Sequence, residues 1–177
     1  NKPTLDVNTY LAFLNEKRRK SGLKPLTYNA KLEQSAFKRG QVVLEYNDLS
    51  FEATRSGYTM AKALQEIGYS NIIIGQAPVL GFYYAEELIN VFFAFPDTKK
   101  FLLDKDYQET GVAVVVGQIN NCPAQIIVQH FAGYVPPNYK KEDIESWRNL
   151  KTNLEEILPS WEKAREFPQY YEKNKDG

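Results

Sequence analysis

The sequence predicts an α/β layered domain with a mostly antiparallel sheet, followed by a helical extension. Two β-rich runs, residues 112–119 and 125–131, are separated by turn-forming residues, which is typical of a hairpin. Segments whose apolar side chains recur at helical spacing come before the hairpin, and this order favours helices layered on a sheet. The composition changes after residue 135, so we expect a domain over residues 1–135 and an extension over residues 136–177.

The composition excludes several classes of function. The chain has 177 residues with 22 basic and 22 acidic side chains, so it lacks the broad positive field of a nucleic-acid-binding protein. One His and one Cys exclude a site with two imidazoles, an intrachain disulfide and a multi-cysteine metal site. No apolar run approaches the ~20 residues of a membrane span. We therefore expect a packed domain that binds no nucleic acid and has no membrane span.

The helices of the domain are predicted from apolar periodicity and from residues that begin or end a helix. The first ends in a basic turn before Gly22, and Asn29 caps the second. Thr59 caps a short third helix that ends at Gly68. The remaining predicted elements are a strand over residues 71–75, a helix over residues 86–95 and a short helix that begins at Pro96.

The extension is predicted to form one amphipathic helix over residues 138–177. Its apolar residues recur at steps of three and four in a charged background: Ile144, Trp147, Leu150, Leu154, Ile157, Leu158 and Trp161. Pro159 lies inside this pattern, so we expect a break or a kink there. The apolar face would pack on the domain, pair with another helix, self-associate or bind a partner.

A motif at the end of the first helix indicates a family. Its residues are Asn15, Arg18, Gly22, Leu23, Pro25 and Leu26, at the spacing N-x-x-R-x-x-x-G-L-x-P-L. This spacing resembles the opening of bacterial CAP-superfamily domains, also called SCP-like domains, a superfamily that includes cysteine-rich secretory proteins, antigen 5 and plant pathogenesis-related proteins. The matching residues that follow are Leu32, Ala36, Gly68, Tyr69, Tyr107, Gly111, Val112, Gln129 and Phe131.

The resemblance covers about residues 5–135 and implies both a fold and a location. The fold is a three-layer α-β-α sandwich with a mostly antiparallel central sheet, and the helical extension lies outside it. The location is extracellular or at the cell surface, and the lack of disulfides fits bacterial members. The 177 residues contain no recognisable signal peptide, so this location rests on the resemblance.

The resemblance also implies where a cleft should lie, and there the residues differ from the family. Its first His, the Glu of its G-E-N motif and the His of its S-P-x-H motif align with Glu52, Gln76 and Thr98. These provide one carboxylate and no second group that titrates near neutral pH, which suits neither zinc nor general acid–base catalysis. We therefore expect a degenerate cleft with no catalytic residue, no metal and no cofactor.

One alternative is a relocated carboxylate site that includes Glu45, Asp48 or Glu87, which would make the protein a hydrolase. A second set of candidates is aromatic: Phe51, Tyr58, Phe82, Tyr83 and Tyr84. Around the expected cleft these rings would line a groove for a small apolar or carbohydrate-like ligand, or would serve in ordinary packing.

Three further features have structural interpretations. His130 is expected to be a packed or surface strand residue on the same face as Val128. Cys122 is expected to be a surface thiol in the hairpin turn, the alternative being a Cys–His pair with His130. Arg18, in the basic cluster of residues 17–20, is expected to be tied into the fold rather than to bind phosphate.

These observations predict a non-enzymatic extracellular or cell-surface CAP-like domain that binds a ligand or a protein partner. The alternatives are the hydrolase and a structural spacer in a larger surface protein, whose tail would continue as coiled helix.

Overall fold

The computed structural model describes residues 3–119, 121–134 and 139–164, with only the backbone for residues 163 and 164. The chain forms two compact units, Asn1–Val135 and Pro136–Gly177. The helices of the first unit are α1 (Val7–Lys20), α2 (Ala30–Tyr46), α3 (Met60–Glu66), α4 (Ala85–Ala94) and α5 (Pro96–Leu102). Its strands are β1 (Thr27–Tyr28), β2 (Ile73–Leu80), β3 (Glu109–Ile119) and β4 (Cys122–Gly133). The second unit contains α6 (Lys141–Ala164).

One four-stranded sheet lies at the centre of the first unit, in the order β1-β3-β4-β2. β3 and β4 form an antiparallel hairpin, β2 pairs antiparallel with β4, and the two-residue β1 pairs parallel with β3. The register places His130 of β4 between Gly111 of β3 and Gln76 of β2. The predicted hairpin and mostly antiparallel sheet are confirmed.

Helices cover both faces of this sheet. α2 packs on one face through Ala36, Val43, Ala113, Ile126 and Val128. α1 and α4 pack on the other face in a larger cluster that includes Tyr10, Leu14, Leu88, Ile127 and Phe131. Alternate residues of β4 therefore face opposite helical layers, as the pleat of a strand requires. This arrangement confirms the predicted three-layer α-β-α sandwich.

The strand boundaries differ from the predicted ones. β2 runs from Ile73 to Leu80 instead of over residues 71–75, and it continues through Pro78. Pro78 is tolerated because β2 is an edge strand that pairs only with β4. β4 begins at Cys122, within the segment predicted as a turn. β1 was not predicted, because two residues are too few to show periodicity.

Arg18 is a structural residue, as the sequence analysis expected. Only 1% of its surface is exposed. Its guanidinium donates to four backbone carbonyl oxygens: Lys24 at 3.1 Å, Leu102 at 2.7 Å, Asp104 at 3.0 Å and Tyr107 at 3.1 Å. One side chain thus ties α1 to the connector before β1 and to the loop between α5 and β3.

The other polar residue of the opening motif acts on the same connector. The Asn15 side chain donates to the Leu26 carbonyl at 3.1 Å and accepts from the Leu26 N–H at 2.7 Å. Gly22 adopts a left-handed φ of 76° immediately after α1, which reverses the chain direction toward that connector. The motif therefore encodes one local structure, the turn from α1 into the sheet.

Gly111 allows α2 to approach the sheet closely. A Cβ atom at this position would lie 2.0 Å from the backbone N of Glu33 and 2.4 Å from the carbonyl carbon of Leu32. At Gly117, in the same strand, a Cβ atom would meet only the end of the Leu44 side chain, at 2.8 Å. The backbone of α2 cannot move aside as the Leu44 side chain can. A larger residue is therefore harder to accommodate at Gly111 than at Gly117.

We expect Gly111→Ala to lower the free energy of unfolding by about 3 kcal/mol, because the added methyl group overlaps the backbone of α2. Gly117→Ala, the matched control, should cost roughly 1 kcal/mol, because the Leu44 side chain can shift. Urea denaturation followed by circular dichroism measures both. Equal losses of stability in the two variants would contradict the close approach of α2 at Gly111.

The second unit is described by its own helix. α6 is amphipathic, as predicted, and it continues through Pro159 instead of breaking there. Residues 138 and 165–177 of the predicted extension helix lie outside the described residues. Among the helices of the described residues, none has the length and apolar character that a membrane span requires.

Candidate functional site

A buried polar cluster lies between α2 and the sheet. His130 of β4 has none of its surface exposed, and Ser35 of α2 and Gln76 of β2 are also buried. The Ser35 Oγ lies 2.7 Å from His130 Nδ1, and His130 Nε2 lies 3.2 Å from Gln76 Oε1. The cluster forms because Gln76 and His130 are paired across neighbouring strands and α2 places Ser35 above the imidazole.

The hydrogen bonds define the form of the imidazole. Gln76 Oε1 can only accept, so His130 Nε2 carries the proton and donates to it. The Ser35 hydroxyl donates to the Leu32 carbonyl at 2.9 Å and lies within hydrogen-bond distance of Nδ1, so its one proton is shared between these two acceptors. Burial, aided by the positive charge of Arg39, lowers the pKa of His130 to about 3.

Ser35, His130 and Gln76 are in contact in the order that a nucleophile, a base and an orienting group would have. Here, however, they serve packing rather than catalysis. Both Ser35 and His130 are fully buried between α2 and the sheet, so the hydroxyl faces protein rather than a substrate. An imidazole with a pKa of about 3 is also too weak a base to activate a hydroxyl at neutral pH. The cluster therefore stabilises the contact between α2 and the sheet.

Arg39 adds a buried charge to this side of the sheet. Its guanidinium has no exposed surface and donates to the Ser50 carbonyl at 2.7 Å. Within the described part of the chain, its Nε and Nη1 have no hydrogen-bond partner, and neither does Nε2 of Gln76. Burial lowers the pKa of Arg39, but a guanidinium keeps its charge in proteins. These unpartnered nitrogens are all donors, so the cluster disfavours a cation.

Asp48, one of the alternative carboxylates, anchors the loop after α2. It is buried and accepts from the backbone N–H groups of Ser50 and Arg55, each at 3.0 Å. A hydrogen bond from the Ser50 side chain, together with the two backbone bonds, lowers the pKa of Asp48 to about 2. The carboxylate is therefore ionised at neutral pH and poorly suited to donate a proton. Glu45 and Glu87 are exposed on α2 and α4.

The aromatic candidates lie in two loops. Phe51 and Tyr58 are in the loop between α2 and α3, where Phe51 is exposed and Tyr58 donates to Glu66 at 2.8 Å. Burial and this hydrogen bond raise the pKa of Tyr58. Phe82, Tyr83 and Tyr84 are in the loop between β2 and α4.

The loop before α4 contributes to a groove. Phe82 packs against the α1–α4 core, Tyr84 is exposed, and Tyr83 lines a cavity of about 570 Å³. The other residues that line this cavity are Pro3, Thr4, Val116, Pro123, Ala124 and Gln125. The Gln125 side-chain amide holds two segments beside this groove in place. It donates to the Phe82 carbonyl and accepts from the Leu5 N–H at 3.3 Å.

Cys122 and His130 do not form a pair. Both lie in β4, eight residues apart along one extended strand, which separates them by roughly 26 Å. Cys122 is an exposed free thiol opposite Ile119, so the expected surface thiol is confirmed and the Cys–His alternative is wrong. His130 faces α2 with Val128, as expected.

Comparison with known proteins identifies the family. The model of the cysteine-rich secretory protein (CAP) family matches residues 11–131. The chain belongs to the CAP family. A comparison with curated proteins finds no match. The match omits α6, so it concerns the sandwich alone.

Solved structures share the fold of this CAP domain. An extracellular protein with an SCP domain from Bacillus anthracis is 16% identical with a TM-score of 0.59, over 71% of this chain and 39% of that one. An outer surface protein from Borrelia burgdorferi is 19% identical with a TM-score of 0.58, over 71% and 90%. A cysteine-rich secretory protein from Staphylococcus aureus is 19% identical with a TM-score of 0.54, over 71% and 37%. The chain thus matches about two fifths of the Bacillus and Staphylococcus proteins.

The three residues that sequence comparison by motif predicted at the family's cleft have different environments in this CAP domain. Glu52 is exposed in the loop after α2, Gln76 is buried in β2, and Thr98 is half-buried in α5. The hydrogen bond of Gln76 goes to His130 rather than to either of them. Among the residues described, no group of three His, Cys, Asp or Glu side chains converges as a metal site would. A set of one exposed carboxylate, one amide and one hydroxyl does not fit zinc.

We expect the purified protein to contain far less than one zinc per chain, because no two good zinc ligands come together at these positions. Inductively coupled plasma mass spectrometry after dialysis measures the ratio. One zinc per chain in the protein, lost in Glu52→Gln, would contradict the donor set described here.

Ser35 and Arg39 are residues of this buried region that were not predicted from the sequence. Both lie on the face of α2 that carries Leu32, Ala36 and Val43, at helical steps of three and four. A polar side chain inside such an apolar face is a signal of a buried hydrogen-bonding partner. The partner itself, His130, is distant in sequence and depends on the packing of α2.

Proposed function

We propose that this CAP domain is a non-enzymatic binding module that acts outside the cell or at its surface. The observation that carries the proposal is the Gln76–His130 pair. Gln76, which we expect to stand where the family has its cleft glutamate, is a buried amide bonded to the chain's one imidazole, which stays neutral far below neutral pH. Such a pair supports a structural role and offers no proton for catalysis.

The extracellular or cell-surface location is supported by the family and its structural neighbours. CAP-family domains are typically extracellular, and generally non-enzymatic. The Bacillus neighbour is named an extracellular protein, and the Borrelia neighbour an outer surface protein. A fold that needs no disulfide suits a bacterial protein of this kind.

The groove beside Tyr83 is the binding surface that we propose. Val116 is 65% exposed there, next to Pro123 and Ala124, so the groove presents apolar surface to solvent. An apolar ligand of modest size would cover this surface and gain hydrophobic stabilisation. Thr4 and the Tyr83 loop border it with polar groups that suit a ligand with one polar end.

Nuclear magnetic resonance titration with two probes tests this surface. Octyl β-glucoside below its micelle concentration carries an apolar tail, and methyl β-glucoside carries only the sugar. We expect the octyl probe alone to shift the amide signals of Val116, Ala124 and Gln125. These shifts should be lost in Val116→Ser and kept in Ile72→Ser, whose Ile72 side chain is similarly exposed, at 61%, but lies outside the groove.

Two results would overturn the proposed groove ligand. Equal shifts with methyl β-glucoside would make the ligand a carbohydrate without an apolar requirement. No shift with either probe would remove the groove as a binding surface.

Turnover assays test the hydrolase alternative. We expect no cleavage of unfolded casein and no ester hydrolysis above the buffer rate, because the aligned positions provide no acid–base pair. Turnover that Glu52→Gln abolishes, with stability unchanged, would show that the protein is a hydrolase.

A further inference from the structure

Helix α6 carries an exposed apolar face. Trp147 and Trp161 are each 67% exposed, and the aliphatic side chains between them are exposed as well. They surround a groove of about 640 Å³, flanked by Lys151 and Glu155. Exposed apolar surface of this extent on a helix marks a contact surface.

The apolar face has a symmetric order about Leu154. Leu150 and Leu158 lie four residues before and after Leu154, and Trp147 and Trp161 lie seven residues before and after it. A helix that turns by about 100° per residue places all five on one side. Read in either direction, these five residues give Trp, Leu, Leu, Leu and Trp at the same steps. A second copy running antiparallel would therefore present the same five residues in the same order. Ile157, which also lines the groove, lies at one edge of the face, and its counterpart about Leu154 is Lys151.

The flanks of this face select the antiparallel orientation. Lys151 and Glu155 lie on one flank, where they pair at 3.5 Å within one helix, whereas the other flank carries Ser146, Asn153, Ile157 and Ser160, with Glu142 near the start of the helix. In an antiparallel pair related by a two-fold axis, like flanks meet, which brings Lys151 of each copy beside Glu155 of the other. In a parallel pair, Lys151 and Glu155 would face Asn153 and Ile157 of the other copy and would gain no ion pair between copies.

We propose that α6 pairs with α6 of a second copy of this chain, antiparallel, with the two-fold axis at Leu154. The pair stacks Trp147 of one copy near Trp161 of the other. The interface buries four indole rings and the aliphatic side chains between them. The buried surface area is on the order of the 1,000 Å² that a specific interface needs.

Pro159 is compatible with this pairing. It lies about 140° around the helix from Leu154, on the side away from the apolar face. Its ring therefore lies outside the contact, and α6 continues as helix through it. α6 thus acts as an oligomerisation element attached to the CAP domain.

Sedimentation velocity of the full chain over a range of concentrations tests for the dimer. We expect a monomer–dimer equilibrium whose dissociation constant rises at least about tenfold in Leu154→Glu, because two like charges then meet on the axis. The matched control is Thr152→Glu, which adds the same charge on the opposite side of the helix and should leave the constant unchanged. Circular dichroism of both variants checks that α6 remains helical.

Cysteine cross-linking in a Cys122→Ser background tests the orientation. Leu150→Cys mixed with Leu158→Cys should form the mixed disulfide under mild oxidation, and Leu150→Cys alone should form little dimer. Efficient cross-linking of Leu150→Cys with itself would show a parallel pair and overturn the proposal.

Two other outcomes would also overturn the proposal, and each identifies a different occupant of the face. A chain that stays monomeric at every concentration, with tryptophan fluorescence typical of buried rings, would place the face against its own chain. A monomer whose tryptophan fluorescence shifts to the blue only with phosphatidylcholine vesicles would make it a lipid-binding face.

Discussion

Replacing Arg18 with Ala should lower the free energy of unfolding by about 4 kcal/mol, the cost typical of breaking a buried charged network. The variant loses a buried guanidinium and leaves the carbonyl oxygens of Leu102, Asp104 and Tyr107 without their donor. Urea denaturation followed by circular dichroism measures the loss. Arg18→Lys should recover only part of the stability, because one ammonium group cannot reach four carbonyls in a fixed plane.

Arg19→Ala is the matched control for Arg18. Arg19 is the next residue of α1, carries the same charge and is exposed. Its replacement should change the free energy of unfolding by no more than about 0.5 kcal/mol. Similar losses in the two variants would show that charge on α1, rather than the carbonyl network of Arg18, provides the stability.

Stability should fall as the pH drops below about 6.5, because His130 must be neutral in the fold. Burial, with Arg39 nearby, lowers its pKa from 6.5 to about 3, so between these values the unfolded chain binds a proton that the folded chain does not. Stability therefore rises with pH in this window and is lost as the pH falls, by about 1.4 kcal/mol per pH unit at most. Denaturation at pH 7 and pH 4.5 should differ by on the order of 3 kcal/mol.

His130→Gln is the variant that isolates this effect. It should destabilise the protein at pH 7 but flatten the dependence of stability on pH between 7 and 4.5. Below about pH 4 the lowered pKa of Asp48, about 2, adds a further loss in both proteins, because its carboxylate then becomes protonated in the unfolded chain first. An unchanged slope in His130→Gln would assign the acid sensitivity to other groups.

The sandwich was predictable because its main signals are local. Asn29 and Thr59 cap α2 and α3 by accepting from the N–H groups of Lys31 and Lys62, as their residue types predict. The opening motif forms a local turn through Asn15 with Leu26 and Arg18 with Lys24, and the distant partners of Arg18 are backbone carbonyls, which any residue would supply. Side-chain type and short spacing therefore carry this information.

The polar cluster was not predictable because it depends on strand register and layer packing. Gln76 and His130 are 54 residues apart and meet only through the pairing of β2 with β4. Ser35 reaches the imidazole only because Gly111 lets α2 lie close to the sheet. A one-residue change of register would turn His130 toward the opposite layer. Sequence spacing alone contains none of these distances.

Measuring the pKa of His130 in the folded protein tests most directly whether the buried Ser35–His130–Gln76 cluster of this CAP domain has a structural or a catalytic role. His130 is the only histidine of the chain, so its ring signals in a nuclear magnetic resonance titration need no assignment. We predict that they stay in one neutral form from pH 8 to pH 5, with a pKa of about 3. An inflection near pH 6.5 would show an imidazole open to solvent and to proton transfer, and would contradict the non-enzymatic assignment.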